Sequence, residues 1–366
     1  MKTIEMTNYS VSQKGYPDLA KVCRQYNYKN VVVIGGKRAL KSVSEKIKEA
    51  LKDTEINITN EFVYGDECTM TNINNLSDKK DVQDADVIFI VGGGKAMDTG
   101  KILADKMNKG VFSFPTICSN CAAATAIAVV YNDDKTLSHY ALIPAPSHMF
   151  IEVSVIAQAP SEYIWAGIGD GLSKQVEVEF ATRNLELDHT ASMGLSLSKS
   201  CQEPFLKYGK QAIEDCNNNI ATDAIKEIAL NILVSTGYVS NLTNQPEYYY
   251  NSSIAHIFYN TSTSIKREEN CLHGALVAFG VMVLHAYAEN YDELEKIAVF
   301  NKSVGLPITL EEVGLSEKDL VNMAEVAPNT TEWKSSVEGL SKDKFIEAIK
   351  EADKYGRDIK EIEKCA

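Results

Sequence analysis

The sequence predicts a doubly wound α/β domain followed by a helical one, and three observations carry that expectation. Two continuous apolar runs, Val31-Val32-Val33-Ile34 and Val87-Ile88-Phe89-Ile90-Val91, each end in glycines, Gly35-Gly36 and Gly92-Gly93-Gly94. Apolar runs of this length without polar alternation mark parallel strands buried on both faces. Stretches of helical spacing separate them, and strands joined by helical crossovers build a doubly wound sheet. Beyond Pro160 the strand texture stops and helical spacing continues nearly to the end of the 366 residues. That length suggests two domains, and the boundary is expected near Ala159, giving 1–159 and 160–366.

In chain order, the first strand covers 31–34 and turns at Gly35-Gly36. The stretch after it sets Leu40, Val43, Ile47 and Leu51 on one helical face, as a helix packed on a sheet requires. The second strand covers 87–91; a helix over 96–107 and a strand over 111–114 follow. Residues 125–131 and 138–143 read as a β-hairpin around the polar turn Asn132-Asp133-Asp134-Lys135. Pro144, Pro146 and Pro160 punctuate the next stretch, which also holds a strand-like run at 149–155. Helical spacing then covers 163–183, 189–216, 222–242 and 273–290. In a doubly wound sheet the ligand crevice lies at the carboxyl ends of the strands, where both glycine clusters fall.

Hydrophobic residues at 45% and charged residues at 24% are globular values, which excludes disordered and fibrous classes. Thirty-seven basic against 50 acidic residues leave a formal charge of −13. A phosphate backbone needs a basic face, so nucleic acid is not an expected partner. The longest apolar run, 121–131, is too short to cross a bilayer. Residues 1–15 are polar and lack the apolar centre of a signal peptide, so no membrane role is expected. Eight cysteines scattered along the chain point to a reducing, cytoplasmic setting. Cys118 and Cys121 have CxxC spacing, but no second pair completes a zinc knot, and two unpaired thiols are expected.

Two constellations carry chemistry. Gly92-Gly93-Gly94-Lys95, with Asp98 and Lys101, follows a strand and opens a helix. Glycines there let main-chain N–H groups approach a pyrophosphate at a helix N-terminus; a turn tightened only for packing is the other reading. The stretch is neither a GxGxxG fingerprint nor a P-loop. Gly35-Gly36-Lys37-Arg38 is a weaker version of the same pattern. The second constellation is Asp170, His256 and His273, one carboxylate and two imidazoles on three helical stretches. Such a set can hold a divalent ion with a position left for substrate, although spacing alone does not join the three. His139, His148, His189 and His285 read as ordinary structural histidines.

Together these motifs resemble the iron-containing (group III) alcohol dehydrogenase superfamily, above all its glycerol dehydrogenase branch. The resemblance rests on 92–98, Pro115-Thr116-Ile117-Cys118-Ser119, 127–133, Gly167-Ile168-Gly169-Asp170, Ala255-His256 and His273-Gly274, and covers nearly the whole chain. It implies an N-terminal Rossmann-like dinucleotide-binding domain and an all-α C-terminal domain, an architecture shared with dehydroquinate synthase. It implies that Gly93, Gly94 and Lys95 cradle the pyrophosphate of NAD(P), with Asp98 in the same stretch. Thr116, Ser119, Thr125, Ile127 and Tyr131 stand where the family contacts the cofactor. Asp170, His256 and His273 stand where glycerol dehydrogenases hold a catalytic zinc, with iron in other branches, so zinc is favoured over iron. The expected reaction is hydride transfer from a small alcohol or hydroxy acid, in a homo-oligomer.

Four departures from the branch bear on metal, substrate and cofactor. Cys121 stands where glycerol dehydrogenases usually have an aspartate near the substrate, and Asn120-Cys121-Ala122-Ala123 resembles the hydroxycarboxylate dehydrogenase subgroup. Lys174, one helical turn after Asp170, stands where some members place a fourth ligand; a protonated lysine cannot ligate, so it is expected either to face an acid substrate or to pair with an acid such as Glu177. Tyr259 and Asn260 stand where relatives often carry another histidine and an Asn. Gly36 replaces the aspartate that grips the ribose of NAD, and Lys37 and Arg38 follow it, so NADP(H) is expected to be accepted. The competing reading is a dehydroquinate-synthase-like lyase, which recycles its dinucleotide.

Overall fold

The computed structural model describes residues 3–267 and 271–364. The chain packs as two compact units: the described residues up to Ile164 together with Glu214–Asn241, and Trp165–Ile213 together with those from Leu242 onward. This division differs from a single boundary near Ala159. Within the first unit the Cys216 thiol donates to the carbonyls of Ile156, Ala157 and Ala159 at 3.5–3.6 Å. Asn241 brackets residues 124–126, donating to Ala124 O at 2.9 Å and accepting from Ala126 N at 2.8 Å. Helical spacing marks a helix but not the surface it packs against.

The first unit holds strands β1 (Asn8–Ser12), β2 (Asn30–Gly35), β3 (Asn57–Val63), β4 (Val87–Gly92), β5 (Gly110–Pro115), β6 (Ile127–Tyr131), β7 (Leu137–Leu142) and β8 (His148–Glu152). Six of them form one parallel sheet in the order β1-β8-β5-β4-β2-β3. Every residue of β4 and β8 is buried, and Phe89, Phe112, Phe114 and Phe150 stack through the core with neighbouring centroids 5.0–5.6 Å apart. β1 and β3 lie at the two edges, and none of their residues is buried. β6 and β7 form a separate antiparallel hairpin. The strand-like run 149–155 divides into β8 and a short helix, Val153–Ala157.

From β2 the chain passes outward to β3, then returns to β4 on the other side of β2. The switch point therefore lies between the carboxyl ends of β2 and β4, where Gly35-Gly36 and Gly92-Gly93-Gly94 sit. Helix Lys37–Leu51 starts from the first cluster and helix Gly94–Met107 from the second.

The second unit is helical apart from a ribbon of two-residue strands, Asn244–Gln245 and Tyr248–Tyr249. Its central helix, His273–Tyr287, is buried at every position after His273, as a helix apolar all round must be. Close backbone approach sets its neighbours. A Cβ at Gly274 would overlap the Ala166 carbonyl, and one at Gly169 the Gly274 carbonyl. A Cβ at Gly280 would lie 2.5 Å from Ala255 O. Helices Ser161–Gly171 and Ile254–Ser262 thus meet His273–Tyr287 backbone to backbone. The expected helix 163–183 is interrupted at Leu172, which separates Ser161–Gly171 from Ser173–Thr182. No helix of the described residues is long and apolar enough to cross a membrane.

Candidate metal centre and nucleotide cradle

The close glycine approaches of the second unit place the candidate ligands. Asp170 follows Gly169, His273 precedes Gly274 and His256 follows Ala255, so each close approach brings a ligand-type side chain to the same spot. One ligand atom from each lies within 4.8 Å of the others. The Nε2 of His273 is 3.0 Å and that of His256 3.7 Å from Asp170 Oδ1. The ring of Tyr259 meets His273 edge-on, with centroids 4.1 Å apart.

Burial raises the pKa of Asp170, and the imidazoles of His273 and His256 with the Lys174 ammonium outweigh it, leaving the carboxyl below its usual range. Burial by itself lowers the pKa of His256; Glu177, Asp170 and Glu332 reverse that and carry it to about 9. His256 Nδ1 lies 2.6 Å from Glu177 Oε2, so Nε2 is the nitrogen left for a ligand. Glu332, buried beyond it, accepts from Ser252 Oγ and Asn260 Nδ2, both at 3.2 Å. Its pKa is raised by burial, against His256 and with Glu177 adding to the rise. The donor set of two imidazole nitrogens and a carboxylate oxygen fits a divalent cation.

Lys174 is buried in helix Ser173–Thr182, and its Nζ donates to Asn251 Oδ1 at 2.7 Å. The interruption at Leu172 puts it on a different helix from Asp170, contrary to the single helix expected. Nor does it pair with Glu177, whose carboxylate serves His256. Sequence reading singles out neither carboxylate behind His256: Glu177 enters it only as a partner for Lys174, and Glu332, 76 positions beyond His256 in the chain, carries no local motif.

In the first unit, Gly92 has φ +148° and a Cβ there would lie 2.9 Å from Ala96 Cβ. Glycine alone takes that backbone conformation readily. A Cβ on Gly93 would lie 2.5 Å from Ile117 Cδ1. The three glycines, Met97, Pro115, Ile117, Ser119 and Asn120 line one small cavity, and the amides opening helix Gly94–Met107 are the orphan donors of a helix start. Thr116 is buried, its N–H 3.1 Å from Gly92 O. Lys95, exposed for over half its side chain, is held by Glu67 Oε2 at 2.6 Å.

Asp98, expected with the cofactor contacts, is buried and faces inward. It accepts from Val129 N at 3.1 Å and pairs with Lys101 Nζ at 3.1 Å. Burial raises its pKa against the pull of Lys101. The fully buried Lys101 ammonium also donates to the carbonyls of Ala122, Thr125 and Ile127 at 2.6–3.2 Å and to Thr125 Oγ1 at 3.3 Å. Ser113 Oγ holds Ala123 O at 2.7 Å, and Thr7 Oγ1 holds Ala124 O at 3.1 Å. Thr125 is therefore an internal tie, while Ser119, Cys121, Ile127 and Tyr131 remain half-buried. Gly36 is half-buried and Lys37 exposed. Cys118 is buried, and burial pushes its thiol up, which makes it unreactive. His148 and His285 are buried, with burial lowering their pKa, while His139 and His189 are exposed.

The family described as iron-containing alcohol dehydrogenase matches residues 10–160. The glycerol dehydrogenase of Thermotoga maritima is 32% identical over 311 residues, spanning 81% of this chain and 82% of that protein. Hydroxycarboxylate dehydrogenase A of Escherichia coli is 30% identical over 297 residues, 81% of this chain and 79% of that protein. Among solved structures, a glycerol dehydrogenase from Schizosaccharomyces pombe has the same fold, with a TM-score of 0.86 at 24% identity over 100% of this chain and 94% of that one. Fold and relatives together define an oxidoreductase acting on CH–OH groups. The chain belongs to the iron-containing alcohol dehydrogenase family, in its glycerol dehydrogenase-like branch. These relatives favour a dehydrogenase over the lyase alternative.

Proposed function

We propose that the protein is a metal-dependent, NAD(P)-linked dehydrogenase that interconverts a small polyol or 2-hydroxy acid with its keto form, and that the acid is the better substrate. The observation that carries this reading is the convergence of Asp170, His256 and His273 on atoms within 4.8 Å. These three would hold the ion, zinc before iron. When bound, the ion supplies Lewis acidity at the substrate hydroxyl and the nicotinamide supplies the hydride acceptor.

The chain's own residues do the rest. Asp170 brings the negative charge that a dication needs, and the two histidines supply neutral nitrogens. The amides around Gly93 and Gly94 receive the pyrophosphate without a side chain in the way, with Lys95 and Ser119 beside them. Asp98 and Lys101 hold the segment carrying Thr125 and Ile127. Lys174, a buried ammonium that donates to Asn251, is suited to a substrate carboxylate, and Cys121 is neutral where an aspartate would be charged. Gly36, Lys37 and Arg38 make room and charge for a 2′-phosphate, so NADP(H) is accepted. A homo-oligomer in a reducing cytoplasm completes the proposal.

The test is net nicotinamide reduction with a panel of diols and 2-hydroxy acids, using NAD and NADP on metal-depleted and zinc-reconstituted protein. Turnover on reconstitution, with higher kcat/KM for an acid, is expected. Lys174→Met should raise KM for the acid selectively, since a charge-assisted contact contributes about 1.5–3 kcal/mol. No net reduction with any substrate overturns the proposal. Better activity on glycerol than on any acid overturns the substrate class.

A further inference from the structure

We propose that Glu177 is a positioning residue whose two oxygens couple the start of the His256 helix to the ligating nitrogen of His256. The inference rests on the metal centre proposed above. Helix Ile254–Ser262 opens from Ser253, whose side chain makes no capping hydrogen bond. The hydroxyl of Ser253 is buried and has no partner among the described residues. Serine at that position ordinarily accepts from an amide of the first turn. Here the acceptor comes from another helix: Glu177 Oε1 accepts from Ser253 N at 2.7 Å and from His256 N at 2.9 Å.

The second oxygen is not needed for capping. Oε2 lies 2.6 Å from His256 Nδ1. A carboxylate accepting at three points has no proton to donate, so Nδ1 carries the hydrogen, and in the neutral ring the lone pair then lies on Nε2. Nε2 is the nitrogen 3.7 Å from Asp170 Oδ1, and the His256 and His273 ring centroids lie 5.5 Å apart. Glu177 thus grips His256 twice, by its main-chain amide and by its ring, which sets both where the residue starts and how the imidazole is turned. Full burial of Glu177 keeps water from substituting for either contact. Lys174, on the same helix one turn earlier, is engaged with Asn251 and does not draw the carboxylate away.

Outer partners of ligating histidines are worth about 10- to 100-fold in metal affinity. The experiment titrates metal-depleted full-length protein with Zn²⁺ against a chelator and with Co²⁺ by its visible absorption, in the parent, Glu177→Gln, His256→Ala and the double variant. Glutamine keeps the volume but offers one acceptor oxygen for two jobs. We expect Glu177→Gln to weaken Zn²⁺ binding about 10- to 100-fold and to alter the Co²⁺ spectrum, with NADH affinity unchanged. In the His256→Ala background the same substitution should add nothing, because the coupling runs through that ring. Nitrogen NMR of neutral His256 in the metal-free parent, which needs no variant, should show Nδ1–H.

Three results overturn the inference: parent-like Zn²⁺ affinity in Glu177→Gln, losses that add in the double variant, or the Nε2–H tautomer in the parent. A parent that binds neither ion overturns the metal centre itself and this inference with it. A parent that binds beside an equally tight Glu177→Gln overturns this inference alone.

Discussion

At the carboxyl end of β4 the candidate binding surface is main chain, whereas around Asp170, His256 and His273 it is side chain. The cradle needs three consecutive glycines, one strand end and one helix start, all within 92–107. The metal cluster needs residues as far apart as Asp170 and His273, 103 positions from each other. Glycine serves both regions by different physics. Gly92 supplies a backbone conformation with φ +148°, while Gly169, Gly274 and Gly280 supply close approach between helices. The difference teaches that a phosphate-type site can be written into a short stretch, because amides at a helix start come with the helix. A metal-type site is an outcome of packing.

The sharpest way to test that separation is to remove a ligand. His273→Ala or Asp170→Ala should lower metal affinity and turnover by more than about 100-fold, beyond the range of outer-partner losses. NADH affinity, measured by fluorescence, should stay near the parent value. Loss of both activities together would show that the two regions do not behave independently.

Lys101→Met should break the other region. It leaves the Asp98 carboxylate buried without its cation and several carbonyls without a donor, and removing one partner of a buried pair costs about 3–5 kcal/mol. Denaturant unfolding should register that loss, and NADH affinity should fall in the folded fraction while Zn²⁺ binding persists. A cost no larger than the about 1 kcal/mol of a surface pair would count against the tie described here.

Gly274→Ala touches no ligand, yet its Cβ would meet the Ala166 carbonyl. Overpacking of this kind costs about 1–3 kcal/mol, and separating the two backbones should move His273 from Asp170 and weaken Zn²⁺ binding. A variant with parent-like melting temperature and metal affinity would show that close approach does not set the cluster.

The smallest effect is a pH drift confined to the second unit. In metal-free protein the folded-state pKa of His256 is raised to about 9, against about 6.5 for an unfolded histidine. Its contribution to stability is complete below about pH 6.5 and is lost as pH rises through about 9. The melting temperature of the apoprotein should therefore decline across that window. Zn²⁺ affinity should climb over the same window, because the ligating form has lost a proton. NADH affinity, which in the proposed cradle rests on amides that do not titrate, should stay level. An apoprotein melting profile that does not decline would remove His256 from this account.

Residue type and order determined the central strands, the glycine turn after β4 and the hairpin, and offered Asp170, His256 and His273 as ligand candidates that spacing alone did not join. β2, β4 and β5 are buried on both faces, and burial writes a continuous apolar run into the chain. β1 and β3 escaped notice because edge strands are half exposed and carry no such run. Tertiary structure alone decided which polar side chains pair. Lys174 reaches Asn251, Glu177 reaches His256, Lys95 reaches Glu67 and Asp98 turns inward to Lys101. It also decided that Glu214–Asn241 groups with the N-terminal residues. The physical reason is range: hydrophobic period and main-chain geometry act over a few residues and leave a local trace. A hydrogen bond between side chains 79 positions apart, as in His256 and Glu177, leaves none until packing brings them together.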